Sequence, residues 1–223
     1  MHSSLDERAL TAYVSRLLDS HLPDGRTPPL AQRMVAQALE RVAHCHSRIH
    51  RKYFQDERGA RFDHLNGDHM AAFLWFLGNT AWKESGAEDL ATRLFYLNKI
   101  MHGLDLFYSV PMPDIFILVH PVGTVIGKAN FNDYLVVYQS CTVGADTDIY
   151  PRFGKGAILY SGSSVLGDCQ VGDNVVFAAN ALLIDTPVPS DTVVVGQYPT
   201  QRLLPNHRPV RSRCFEPPAG RGE

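Results

Sequence analysis

The sequence predicts an α+β chain. An α-helical amino-terminal domain, residues 1–115, is followed by a parallel β-solenoid of six-residue repeats, residues 116–200, and a carboxy-terminal tail, residues 201–223. Three observations carry this reading. Apolar residues recur at helical spacing up to about residue 101. Beyond that, Val119, Val125, Phe131, Val137 and Val143, then Phe153, Leu159, Val165, Val171, Phe177 and Leu183, keep a period of six. The phase breaks once, across "GADTDIYPR", which is four residues longer than one unit. Small residues also stand four places after most of these apolar ones, as at Ala129, Cys141, Ala157, Ser163, Cys169 and Ala181. A β-sandwich would repeat its strands at roughly 8–12 residues. A period of six instead describes a prism with inward aliphatic side chains and tight corners.

The elements follow in order. "LDERALTAYVSRLLDSHL" has one apolar face and stops at "PDG". "TPPLAQRMVAQALERVAHCHSRIHRKYF" opens the second helix, with Thr27 as N-cap and prolines in the first turn. "GDHMAAFLWFLGNTAWKES" is apolar on all sides, so the third helix is buried, with Asp68 as its cap. "AEDLATRLFYLNKIM" is the fourth, ended by Gly103. Pro111 and Pro113 force an extended path in "DLFYSVPMPDIFILVHP". The repeats run from about Val119 to Val195, and the polar, basic, proline-rich tail is expected to be loose.

The bulk composition narrows the function. A formal charge of -2 over 223 residues gives no electrostatic case for nucleic acid or an anionic membrane. No apolar run is long enough to span a bilayer. "MHSSLDERALTAYV" lacks the basic start and apolar stretch of a secretory signal, so a cytoplasmic protein is expected. Cys45, Cys141, Cys169 and Cys214 match no zinc spacing, and no metal is expected. Cys141 and Cys169 occupy the small-residue place of the repeat and read as buried free thiols.

The stretches "VHPVGTVIGKA", "VYQSCTVGA", "YPRFGKGAILYSGSSVLGDCQVGDNVVFAANALL" and "VPSDTVVVGQYPTQRLL" resemble the serine acetyltransferase branch of the hexapeptide-repeat acyltransferases. The resemblance covers the carboxy-terminal half well and the helices only in outline. It implies a left-handed parallel β-helix, assembly as a homo-trimer or a dimer of trimers, and acetyl transfer from acetyl-CoA to a hydroxyl or amine. The chain departs from that branch at its catalytic histidines. An Asp-His pair is expected on an early coil. Counting forward from the His-Pro opening puts Asn132 and Asp133 there; matching backwards from "YQSCTVG" leaves no counterpart, because the segment is shorter. A second histidine is expected before the proline after the loop, where this chain has Tyr150.

Acetyl transfer needs a base, an oxyanion donor and a groove for the CoA arm. Four residues are candidates for the catalytic work. His120 opens the solenoid, where a histidine also serves as a structural cap. His102 stands three residues before Asp105, which would orient it as a base, although a histidine at a helix end is common. Asp133 coincides with the active coil and is also a turn former. Tyr150 replaces a histidine; a phenol is a weak base at neutral pH and a better hydrogen-bond donor. Capping and packing account for Asp68 and His69. The resemblance implies that CoA runs along Ser161 and Ala179, and that Gly196, Pro199 and Arg202 of "GQYPTQR" close the groove. Arg202, Arg208 and Lys155 are candidates for its phosphates. Three functions remain open at this point: transfer to a small hydroxylated, serine-like acceptor; transfer to a sugar or polysaccharide by O- or N-acylation; and a catalytically silent trimeric scaffold.

Overall fold

The computed structural model describes residues 1–84 and 86–215. Ser85, at the end of the third expected helix, and residues 216–223 of the tail lie outside the described residues. Helix α1 (Glu7–His21) is capped by Asp6, whose carboxylate accepts the Ala9 N–H at 2.7 Å. Helix α2 (Gln32–Ser47) starts later than expected, after an extended Ala31. Pro28 precedes a second proline, which pushes it out of helical geometry, so no turn can begin behind Thr27. Helix α3 (Gly67–Lys83) is capped by Asn66, not Asp68. The Asn66 Oδ1 accepts the N–H groups of Asp68 and His69 at 3.0 and 3.3 Å. Helix α4 (Glu88–His102) ends at Gly103, which takes the left-handed φ of 61° as expected. A small unpredicted sheet joins His2–Ser3, Gly59–Phe62 and Gln55–Asp56.

Helix α3 is buried from His69 to Ala81 because it packs against α2, α4 and the first long solenoid strand, Phe116–Val119. The helices and the solenoid therefore share one core. Cys45 Sγ donates to the Phe116 carbonyl at 3.2 Å, and Trp75 meets Phe116 edge-on.

The solenoid is a three-sided prism of parallel strands. One face stacks Phe116–Val119, Leu135–Tyr138, Ala157–Leu159, Val175–Phe177 and Thr192–Val195. The second stacks Asp105–Leu106, Val125–Ile126, Thr142–Gly144, Ser164–Leu166 and Leu182–Ile184. The third holds Arg152–Phe153 and Gln170–Val171, extended by bridges at Asn130 and Val188. Their in-register side chains form three apolar columns. The first runs Leu118, Val137, Leu159, Phe177, Val194 and the second Leu106, Ile126, Val143, Val165, Leu183. Phe131, Phe153, Val171 and Val188 make the third.

The period of six holds from Phe131 onward and slips in the first coil. Val125 is 43% exposed and Val119 only half-buried, while Ile126 and Leu118 fill the columns. The corner at His120–Gly123 sets strand entry one residue out of phase on either side. The solenoid also begins earlier than expected, since Asp105–Leu106 leaves α4 already paired with Val125–Ile126. The described part of the tail is ordered. Arg202–Pro205 turns back antiparallel onto Thr192–Val195, and helix α5 (Val210–Cys214) buries Val210, Cys214 and Phe215.

Candidate active site along one edge of the prism

Each corner of the prism is a ladder of backbone hydrogen bonds from coil to coil, so residues on one corner form one continuous edge. On the first edge, Ser140 N–H donates to Val122, Gly162 to Gln139, Asn180 to Ser161 and Leu182 to Gly196, at 2.9–3.1 Å. This edge carries His120 at the top, then Ser140, Ser161 and Ala179, and Gly196 at the foot. Four residues expected to hold the donor are thereby brought together. Ser161, Ala179 and Gly196 succeed one another, and Arg202 lies opposite Val195 in the hairpin that Gly196 begins. Small side chains at 161 and 179 leave this edge low, and the Ser161 hydroxyl makes no hydrogen bond among the described residues. Lys155 is exposed on the third edge, and Arg208 lies beyond the hairpin, exposed, with its carbonyl held by Arg213.

The catalytic candidates divide between sites. Asp133 stands on the third edge. Its Oδ1 accepts the Ile115 N–H at 3.1 Å, as Asp173 Oδ1 on the same edge accepts the Lys155 N–H at 2.6 Å. It is a turn former in a ladder of such turns, and it shares no cleft with Tyr150. Forward counting from His-Pro, which paired Asn132 and Asp133 with an active coil, therefore crosses from one edge to another. The coil carrying His120 sits directly above the one carrying Ser140, with no coil between. Tyr150 belongs to the second edge. There it lines a cleft of about 310 Å³ with Lys128, Asn130, Asp148, Arg152 and Asp168, and the Lys128 ammonium sits 5.1 Å from its ring centre.

His102 and His120 share a cleft of about 520 Å³ at the head of the first edge, with Tyr53, Asn66, Gly67 and Asp68 in its walls. The Gly123 N–H donates to the Gly103 carbonyl at 3.0 Å, which locks the end of α4 to the His120 corner. His120 has a left-handed φ of 47° and a side chain 78% exposed, so it is no buried cap. Its backbone N–H donates to Asp68 Oδ1 at 2.8 Å, and its Nδ1 lies 3.7 Å from the same oxygen. Burial raises the Asp68 carboxyl above its ordinary range, and the bond from His120 works against that rise. Because Asn66 does the capping, the Asp68 carboxylate is free to face the cleft, a role that sequence reasoning gave to packing and capping.

His102 is not oriented by Asp105. Gly103 turns the chain between them, and Asp105 pairs with Lys99 at 2.6 Å. The His102 Nδ1 meets Asn98 Oδ1 at 2.8 Å instead. Burial lowers its pKa below the usual histidine value, against the opposing effect of a hydrogen bond to the Asn98 backbone, and so favours the neutral ring. Among the described residues no cluster of histidine, cysteine and carboxylate groups could hold a metal ion. All four cysteines are buried free thiols. No helix among those residues is long and apolar enough to cross a membrane.

No family model matches the chain. In sequence it is similar to the serine acetyltransferase of Mycobacterium tuberculosis, 29% identical over 135 residues that cover 58% of this chain and 55% of that protein. It is also similar to the serine acetyltransferase of Synechococcus elongatus, 30% identical over 46% of this chain and 44% of that protein. The matches thus span about half the length of these curated relatives. In structure it resembles the serine acetyltransferase of Vibrio cholerae with a TM-score of 0.68 and 19% identity, covering 92% of this chain and 83% of that one. A Brucella abortus serine acetyltransferase in complex with coenzyme A gives a TM-score of 0.65 at 20% identity, covering 91% and 83%. The helical domain followed by a parallel β-solenoid is the fold they have in common.

Proposed function

We propose that this chain is an acetyl-CoA-dependent O-acetyltransferase acting on the hydroxyl of a small polar, serine-like acceptor. The observation that carries the reading is the alignment of Ser161, Ala179, Gly196 and Arg202 on one edge, leading up to the cleft of Asp68, His102 and His120. An extended arm laid along low side chains can bond to backbone groups, and its thioester end then meets the cleft. Relatives named as serine acetyltransferases, and a similar structure holding coenzyme A, support the same donor. In the reaction the acceptor oxygen attacks the acetyl carbonyl while a base in the cleft takes its proton. The tetrahedral oxyanion collapses, the carbon–sulfur bond breaks, and the sulfur leaves as the CoA thiol carrying that proton.

A symmetric trimer, doubled or not through the helical domains, suits the prism. Val122 and Ile149, 64% and 49% exposed, leave apolar side chains outward at two of its edges. Four free thiols suit a reducing compartment such as the cytoplasm. The test is release of CoA thiol from acetyl-CoA with serine, homoserine, and amino and nucleotide sugars, with light scattering on the same sample. Turnover on a small amino alcohol and a trimer mass are expected. Turnover confined to sugars moves the acceptor class. CoA binding with transfer to nothing favours a silent scaffold, which the loss of the expected histidines would explain.

A further inference from the structure

The turn between α2 and the small sheet puts Tyr53 in the wall of the cleft that holds Asp68 and His120. Its neighbours on both sides are pinned. Phe54 is buried against the His46 and His69 rings, at 4.9 and 4.6 Å between ring centres. Arg51 opens the turn, and its carbonyl accepts the N–H groups of Phe54 and Gln55 at 2.9 and 3.2 Å. The Arg51 guanidinium donates to Cys214 Sγ at 2.8 Å, and the His50 N–H donates to the Cys214 carbonyl at 2.8 Å. The backbone around residue 53 is thus held by the helical core on one side and by α5 on the other. The Tyr53 side chain itself stays 62% exposed, with the Lys52 ammonium 5.7 Å from its ring centre. A single exposed aromatic is ordinary. This one shares its cleft with Met101 and Pro121, so hydrocarbon lines the cleft together with the polar groups. The cleft encloses about 520 Å³. Pockets of roughly 300–1,000 Å³ take ligands much larger than serine.

We propose that Tyr53 is an acceptor-specificity residue, and that the acceptor is an amino alcohol with a hydrocarbon branch that packs on the Tyr53 ring. This rests on the acetyl-transfer reading above. Asp68 takes the polar end. Its Oδ1 accepts the His120 N–H, and its Oδ2 makes no hydrogen bond among the described residues. A half-buried carboxylate at an open cleft gains from a cation, and the acceptor's ammonium supplies one. Ammonium on Asp68 and branch on Tyr53 leave the hydroxyl one way to face the thioester. Serine has no branch to cover the ring. Covering the ring removes apolar surface from water before and during the reaction alike, so the gain falls on KM rather than on kcat.

Initial rates of thiol release with ethanolamine, alaninol and leucinol test the proposal. These three share an amine and a primary hydroxyl and differ only in the branch. In the wild-type chain kcat/KM should rise along the series, about tenfold from ethanolamine to leucinol, mainly through KM. Tyr53→Ala should bring that ratio close to one while acetyl-CoA affinity and the unfolding midpoint hold. Tyr53→Phe should keep the ratio, because the ring and not its hydroxyl does the packing. Equal rates along the wild-type series, or a preference for ethanolamine or serine over leucinol, overturns the proposal and leaves acetyl transfer intact. A Tyr53→Ala variant that keeps the wild-type ratio, or lowers all three acceptors alike, overturns it too. A wild-type chain that releases no thiol with any acceptor overturns the transfer reading, and the specificity role with it.

Discussion

The two halves of the molecule bury different kinds of side chain. In the coils the core is three apolar columns, and the buried polar side chains among the described residues are Thr124, Ser163 and Thr192, with Asn206 beyond the hairpin. In the helical half, His46, His69, Asn79, Thr80 and Asn98 are buried, and these carry directional bonds between elements. Arg41 of α2 donates to Asn79 and Thr80 of α3 at 2.9 and 3.0 Å, while Asn79 donates to the Tyr108 carbonyl at 2.7 Å. Buried amides and imidazoles cost desolvation unless paired, so their geometry is tightly specified. The solenoid thus supplies a straight edge of fixed rise, and the helices supply oriented chemistry at one end of it. The difference predicts that damage to the columns acts on stability, and damage to the polar pins acts on the cleft or on pH response.

The largest effect should come from a column. Phe177 is fully buried between Leu159 and Val194 and meets Phe153 edge-on. Phe177→Ala should cost about 3–5 kcal/mol, the range for an aromatic deleted from a packed core. Urea unfolding measures it. A loss below about 1 kcal/mol would show that the columns are not what holds the coils.

Acidification should expose the helical half next. His46 and His69 lie 4.8 Å apart between ring centres, enclosed by Phe54 and Phe62. Burial lowers His46 to about 4, against the bond it makes to the Arg61 carbonyl. Burial first, and then the charge of His46, lower His69 to about 3. Unfolded histidines titrate near 6.5, so below that pH the unfolded chain binds protons that the folded chain refuses. Stability from this pair is whole above about pH 6.5 and drains away as pH falls toward 4 and then 3. The loss should reach a few kcal/mol by pH 4. His46→Phe should flatten the profile; a wild-type midpoint that stays level from pH 7 to 5 would break the argument.

The same contrast explains what could be read in the sequence. A column repeats, so Val137, Leu159 and Phe177 announce one another, and the small residues at Ser161 and Ala179 share that phase. In the first coil Leu118 and Ile126 are apolar neighbours of Val119 and Val125, and the corner at His120–Gly123 turns them, not the residues in phase, into the columns. The cleft has no period. Asn98 and His102 stand four apart on one helix, spacing that brings side chains together. Asp105 looked the better partner by charge, yet the left-handed turn at Gly103 carries it to Lys99. Asp133 was placed by counting, and counting does not say which of three edges a residue occupies.

The smallest expected effect separates a cap from the chemistry beside it. Asn66 and Asp68 are two residues apart at the start of α3, and only one caps it. Asn66 Oδ1 satisfies two otherwise unpaired N–H groups, so Asn66→Ala should cost about 1 kcal/mol. Its turnover per folded molecule should fall less than that of Asp68→Asn, because the Asn66 side-chain oxygen is engaged in the cap although the residue stands in the same wall. Asp68 lies within the first turn, where a negative charge is worth a few tenths of a kcal/mol to the helix. Against that gain stands the desolvation that raises its pKa, so Asp68→Asn, which can still accept the His120 N–H, should leave stability nearly unchanged. What Asp68→Asn removes is the charge facing the cleft, and acceptor KM should rise while the affinity for acetyl-CoA holds. Unfolding midpoints and initial rates on the two variants therefore should cross, with Asn66→Ala the less stable and the more active, and Asp68→Asn stable and impaired. The reverse pattern would return Asp68 to the helix cap and empty the cleft of its acceptor-holding group.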